Sequence, residues 1–236
     1  MLGSGPMNSF NPTRALGYGW KVVIKDFVAV GLPIVVALII SALPGIPFSG
    51  AGGFVQGLGQ AAAQNGDNAT IYLLIAAALR IVGSIISLLM GAYIGAGILN
   101  FALQVARGQR PSFGVVFSGG RWFLSMLGLQ IVLGIAVSFG FLLCLLPGIY
   151  LALRFAVAQA VVVDENLGPI DAMKRSWELT GAAWVQILLL GMLAILVTLA
   201  GFLACCVGVF VTAPVLMLAS VYMYLTLKGQ EPPMPA

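Results

Sequence analysis

The sequence predicts an all-α membrane protein: six transmembrane helices in three parallel helical-hairpin repeats, each preceded by a cytoplasmic interfacial amphipathic helix. Three observations predict it. Of the 236 residues, 61% are apolar and 8% charged, against roughly 25% charged in soluble domains, and mean hydropathy is +1.07. Uncharged apolar runs recur at the length of ~20 residues that a helix needs to cross a ~30 Å hydrocarbon core. Finally, a proline-led segment ending in tryptophan recurs before pairs of apolar runs: Pro12 to Trp20, Pro111 to Trp122 and Pro169 to Trp177. Self-similarity of this kind is the signature of stacked units.

The spans expected from hydropathy are roughly Phe27–Leu43, Ile71–Ala106, Phe123–Leu146, Ile149–Val163, Ala182–Leu203 and Val207–Leu227. The second would be about 54 Å long at 1.5 Å per residue. It therefore has to tilt, project outward or break near Gly83 or the Gly91/Gly95/Gly97 group. That glycine group also suits close helix packing, within the bundle or between protomers. The whole chain, 1–236, reads as one polytopic domain with units of about 12–110, 111–168 and 169–232. The unit ends repeat too, as Arg107-Gly108-Gln109-Arg110-Pro111 and Lys228-Gly229-Gln230-Glu231-Pro232.

Orientation follows from the cations, because basic residues are retained on the cytoplasmic side. Arg14, Lys21, Lys25, Arg107, Arg110, Arg121, Lys174, Arg175 and Lys228 all fall between or beside spans on one face, nine of the eleven Lys and Arg. The opposite connections are a Gly/Ala-rich loop, Gly45–Thr70, with Asp67 as its only charge, and an uncharged turn at Leu146-Pro147-Gly148. Both termini are expected in the cytoplasm, in a bacterial inner membrane. Residues Met1 to Met7 lack the basic start and apolar core of a signal peptide. On the basic face, the proline-led helices are expected to lie in the headgroup layer, with Trp20, Trp122 and Trp177 at the boundary and Lys174 and Arg175 toward anionic lipid. Proline suits the first helical position, where its missing N–H costs nothing.

Leu146-Pro147-Gly148-Ile149-Tyr150-Leu151-Ala152-Leu153-Arg154-Phe155, together with Val163–Pro169 and Ala172–Thr180, resembles a bacterial membrane family. It is the membrane domain found in some glycerophosphoryl diester phosphodiesterases and in their free-standing inner-membrane relatives. The opening Ala15-Leu16-Gly17-Tyr18-Gly19-Trp20-Lys21 is similar more loosely. The resemblance implies little activity for this chain, since hydrolysis in the fused forms belongs to a separate soluble domain.

An enzyme is not expected. There is no histidine, which removes the commonest general base and metal ligand. The acidic residues Asp26, Asp67, Asp164, Glu165, Asp171, Glu178 and Glu231 fall at span ends or in loops, where capping and charge balance beside Lys174 and Arg175 explain them. Cys144, Cys205 and Cys206 read as packing thiols. No cofactor and no metal site is expected. Asn68-Ala69-Thr70 matches a glycosylation sequon, a short and weak pattern.

The informative residues are polar ones inside spans. Arg154 is placed roughly 10 Å from the outer turn and 15 Å from the inner boundary, with no acidic residue at its depth. A charge there costs on the order of 3 kcal/mol and is a functional-site hypothesis by default; bonding to freed backbone carbonyls is the structural alternative. Sliding the repeats over one another puts Asn100 and Val221 in the layer of Arg154, with Gln104, Gln130, Gln159 and Gln186 deeper toward the cytoplasm. Single amides between spans are commonly interhelical glue, but four in a similar layer outline an inner vestibule. Arg80 lies nearer the outer surface.

The function expected is handling of a lipid or amphiphilic anion, as a transporter or lipid-binding membrane module. The alternatives are a structural or assembly protein recruiting partners through its interfacial helices, and an aqueous channel. Membrane lipids are the expected partners, with a homo-oligomer or a membrane partner protein as further alternatives. The +4 formal charge does not point to nucleic acid, since the cations gather on one membrane side.

Overall fold

A computed structural model describes residues 11–65, 69–203 and 207–233. Met1 to Met7, Asp67, Asn68, Cys205 and Cys206 lie outside the described residues. Among those described, secondary structure is entirely helical, and six stretches are long and apolar enough to cross a membrane: Phe27–Gln64, Thr70–Ala106, Phe113–Leu143, Leu145–Glu165, Trp184–Phe202 and Phe210–Leu227.

Helix α1 (Pro12–Lys25) opens with Pro12 at its first turn and Asn11 as cap, whose side chain accepts the Thr13 N–H at 3.1 Å. A π-helical turn (Phe27–Gly31) leads into α2 (Leu32–Ala42). The next element corrects the sequence reading. Gly45–Thr70, expected as a loop, contains the twenty-residue helix α3 (Gly45–Gln64), which packs along the first half of α4 (Thr70–Ala106). Gly45, Gly52 and Gly59 recur every seven residues on one face of α3, against Ser87, Arg80 and Tyr72 of α4 respectively. Their missing side chains let the two helices approach closely, so the composition that suggested a loop builds a seam instead.

α4 runs its 37 residues unbroken, choosing projection or tilt over the expected alternative of a break. At about 55 Å it exceeds the ~30 Å hydrocarbon thickness by about 25 Å. Of its glycines, Gly83 meets Phe48, Gly97 meets the Val116 carbonyl, and Gly91 and Gly95 have nothing within 4 Å.

A 3-10 helix (Phe113–Trp122) lies across α4, and α5 (Phe123–Leu143) follows. The turn expected at Leu146-Pro147-Gly148 sits earlier, at extended Cys144. Pro147 and Gly148 belong to the first turn of α6 (Leu145–Arg154), where the N–H that proline lacks would have no intrahelical partner. The span expected over Ile149–Val163 is interrupted: α6 stops at Arg154, and α7 (Ala158–Glu165) resumes after three residues. α8 (Pro169–Thr180) packs on α7, and α9 (Trp184–Leu203) and α10 (Val207–Leu227) complete the fold.

The core gathers at the basic end. Ala92 and Ile94 to Ala106 of α4, Ala158 to Val163 of α7, and Leu218 to Leu225 of α10 supply most of its buried side chains, with Ala15, Tyr18 and Val23 of α1 against them. Toward the other end, Phe139, Leu142, Leu146, Ile195 and Phe202 are exposed, an apolar surface suited to hydrocarbon. Three helix ends share one geometry. The chain turns left-handed at Gly108 (φ 79°), Asn166 (φ 54°) and Gly229 (φ 81°), just after α4, α7 and α10. At two of them the turn closes helix carbonyls in the same way: Gln109 N–H donates to Gln104 O at 3.0 Å and Gln230 N–H to Leu225 O at 2.8 Å, the six-to-one bond of a Schellman cap.

Candidate functional site

Arg154 is the last residue of α6 and only 7% exposed. Because the helix stops there, its carbonyl has no backbone partner among the described residues. Two hydroxyls of α8 replace it: Ser176 Oγ donates at 2.8 Å and Thr180 Oγ1 at 3.0 Å. Both hydroxyl residues are fully buried. The guanidinium lies against the C-terminal end of the same helix, its Nη1 beside Gly181. Its carbon stands 4.0 Å from the Trp177 ring centroid and 5.8 Å from that of Tyr150, and the two rings meet edge to face at 5.9 Å. Nε of Arg154 is buried without a hydrogen-bond partner among the described residues, and no carboxylate reaches the side chain within ion-pair distance there.

Trp177 also lines a groove of about 500 Å³ between α5 and α8, walled by Val132, Phe155, Ile170 and Met173, with Lys174 and Glu178 completing the lining. The groove is almost wholly apolar, and one aromatic ring separates it from a buried cation. Trp177 is 38% exposed and Trp20 51%, while Trp122 is half-buried. Arg175 is held by Glu178 at 3.1 Å and Glu165 at 3.5 Å, and Lys174 lies 3.7 Å from Asp171.

The amides divide. Gln104 Nε2 donates to Asn100 Oδ1 at 3.2 Å, and Asn100 Nδ2 to Ser118 Oγ at 3.1 Å. Asn100 lines a cleft of about 380 Å³ with Leu103, Arg107, Arg121, Trp122, Val163, Asp164 and Asn166, apart from Arg154. Gln130 is half-buried, Gln159 is exposed, and half-buried Gln186 holds a buried Oε1 without a partner among the described residues. Arg80 bonds Gln56 across the α3–α4 seam, beside a groove of about 630 Å³ lined by Ser49, Ser84 and Ser87. Counted from the three left-handed residues, Asn100 and Val221 share a level while Arg154 lies four residues farther away, about 6 Å along a helix. Val221 is packed in the core.

One constellation escaped the sequence reading. Asp164, its side chain 4% exposed, accepts from Arg107 at the end of α4, from Lys228 Nζ after α10 at 2.7 Å, and from Tyr224 Oη at 2.8 Å. Glu165 extends the network to Lys228 at 3.1 Å and to Arg175. A single carboxylate thus fastens three helix ends. Burial alone would lower the pKa of the Lys228 ammonium, but the hydrogen bonds and charges of Asp164 and Glu165 outweigh it and hold it above the ordinary lysine value. The signal was present in the matching unit ends: Arg107-Gly108 and Lys228-Gly229 put two cations just before two left-handed caps, and Asp164 stands two residues before the third.

Fold and surface together define a multi-pass membrane protein. The chain is similar to the uncharacterized protein Rv2560 of Mycobacterium tuberculosis, 27% identical over 234 residues, covering 95% of this chain and 70% of that protein. It is similar to the uncharacterized protein Mb2590 of Mycobacterium bovis at the same identity and coverage. No family model matches the chain, and no solved structure matches it.

Proposed function

We propose that this chain is a non-enzymatic bacterial inner-membrane protein that binds an anionic amphiphile, with the headgroup on Arg154 and an apolar chain in the groove beside Trp177. The observation that carries the reading is the state of the guanidinium. Stacking on Trp177 uses its face and contributes about 2 kcal/mol in a desolvated setting. It leaves the in-plane fork of N–H donors, which fits carboxylate and phosphate bidentately, still to be satisfied. Nε is buried and unpaired among the described residues, and the groove next to it is apolar. A lipid or similar anion supplies both halves at once: acceptors for the fork and hydrocarbon for the walls.

The finer architecture belongs to the same proposal. Three left-handed helix ends and the repeated proline-led segments support three parallel units related by an axis near the membrane normal. The cations gathered at these ends support a cytoplasmic location for them and for both termini. Kinship with the membrane domain of glycerophosphoryl diester phosphodiesterases rests on the Leu146–Thr180 motifs. Cysteine substituted at Ser112 or Gly181 is expected to label only when reagent reaches the cytoplasm, and at Gly59 from outside in intact cells. External labelling of Ser112 would reverse the orientation.

Arg154→Gln tests the binding reading, since glutamine keeps hydrogen-bond donors and removes the charge. Native mass spectrometry is expected to show selective loss of co-purifying anionic lipid from a bundle that still melts cooperatively, with Arg154→Lys restoring part of it. A second reading, a structural module, is favoured by the Ser176 and Thr180 bonds to the Arg154 carbonyl. It predicts unchanged lipid retention together with a marked loss of thermal stability.

A further inference from the structure

The cleft between α4, the 3-10 helix and the end of α7 is a different kind of place from the Arg154 groove. Its lining is polar, and its volume of about 380 Å³ falls in the ~300–1,000 Å³ range of small-molecule sites. Donors predominate there. Arg107 contributes a guanidinium that spends part of its fork on Asp164. Arg121 has no carboxylate within ion-pair distance among the described residues, and its guanidinium carbon lies 5.5 Å from the Trp122 ring centroid. Trp122 itself carries an indole Nε1–H that is buried and has no acceptor among the described residues. Indole nitrogen is a donor only, so a group that satisfies it must accept.

The one carboxylate in the lining already accepts from three donors. Asp164 takes Lys228 and Tyr224 from outside the cleft as well as Arg107. Lys228 is shared with Glu165, so Arg107 balances Asp164 and Arg121 leaves the lining with an excess of positive charge. Asn100 Oδ1 accepts from Gln104 Nε2 and makes no bond to the indole. Two planar forks lining one small volume, with an unpaired N–H on a third lining residue, match a tetrahedral oxyanion, whose several oxygens accept in different directions.

We propose that this cleft, built by Arg107, Arg121, Trp122 and Asn100, is a binding site for a phosphate group. The phosphate belongs either to a soluble phosphomonoester or to a lipid headgroup. The site is independent of the Arg154 reading, and a different residue tests it. Seated there, the anion shares Arg107 with Asp164, so occupancy bears on the junction that fastens α4 to α7.

The test uses the full chain in phosphatidylcholine nanodiscs, titrated with inorganic phosphate and with methyl phosphate and followed by phosphorus NMR. Saturable binding is expected, weakened about tenfold or more by Arg121→Gln, the value of a charge-assisted contact of this kind. Arg121→Lys is expected to be intermediate, and Trp122→Phe, which removes the N–H together with the second ring of the indole, to weaken binding several-fold in a chain that still melts cooperatively. Should Arg121→Gln fail to fold, Trp122→Phe carries the test alone. A parallel set of nanodiscs containing phosphatidic acid identifies the source. Retention of phosphatidic acid in native mass spectra with little binding of soluble phosphate assigns a lipid phosphate, and the reverse assigns a soluble one. No saturable binding from either source, or equal binding by Arg121→Gln and Trp122→Phe, overturns the proposal.

Discussion

Asp164→Asn is expected to be the most damaging conservative substitution at the basic end of the bundle, costing about 3–5 kcal/mol, the range for breaking a buried ion pair from one side. The carboxylate is 4% exposed and accepts from Arg107, Lys228 and Tyr224. Asparagine keeps the shape, removes the charge, and turns one acceptor oxygen into an N–H2 aimed among donors. Lys228→Met should cost less, since the lysine is 22% exposed and its loss leaves Asp164 with Arg107 and Tyr224. Thermal unfolding in detergent is the measurement. Asp164→Asn melting with the wild type, or Lys228→Met proving the worse of the two, would mean that the three helix ends are held by apolar packing instead.

Gly97→Ala and Gly95→Ala should move stability in opposite directions although they are two residues apart on one helix. In a helix interior alanine is favoured over glycine by about 1 kcal/mol, so Gly95, with nothing within 4 Å of a built Cβ, should be neutral or gain up to that amount. At Gly97 the added carbon overlaps the Val116 carbonyl oxygen, backbone that cannot swing aside. Gly119 on the 3-10 helix faces the Tyr93 carbonyl in the same manner, so the two elements interlock at two points. Overpacking costs about 1–3 kcal/mol where side chains can adjust, and a backbone collision should reach the top of that range or pass it. Melting temperatures of the two variants decide it. Tolerance of Gly97→Ala would show that the 3-10 helix rides loosely on α4.

What was legible in the sequence follows from how hydropathy works. It reads residues against the membrane, so the apolar spans stood out and most of their ends fall within a few residues of the observed helices. It is blind to contacts between helices. α3 was invisible because its many glycines carry little hydropathy and weak helix preference, and only the Gly45/Gly52/Gly59 register betrays its seam with α4. The interruption after Arg154 was hidden for the opposite reason, since Phe155-Ala156-Val157 continues the apolar run without proline or glycine. The break is tolerated because Ser176 and Thr180, distant in sequence, take the freed carbonyl. Arg154 stood out as a charge inside an apolar run, whereas its neighbour Trp177 had been assigned to the bilayer surface. Asp164 drew no attention because its two cations lie 57 and 64 residues away.

The most direct test of the anionic-amphiphile account is an experimental density map of the protein in native lipid, inspected at the Arg154 fork. The account predicts headgroup density within hydrogen-bonding distance of Arg154 Nε, continuous with chain density along Val132, Ile170 and Met173. A map in which Nε is satisfied by a protein acceptor, with no headgroup density at the fork, would contradict it.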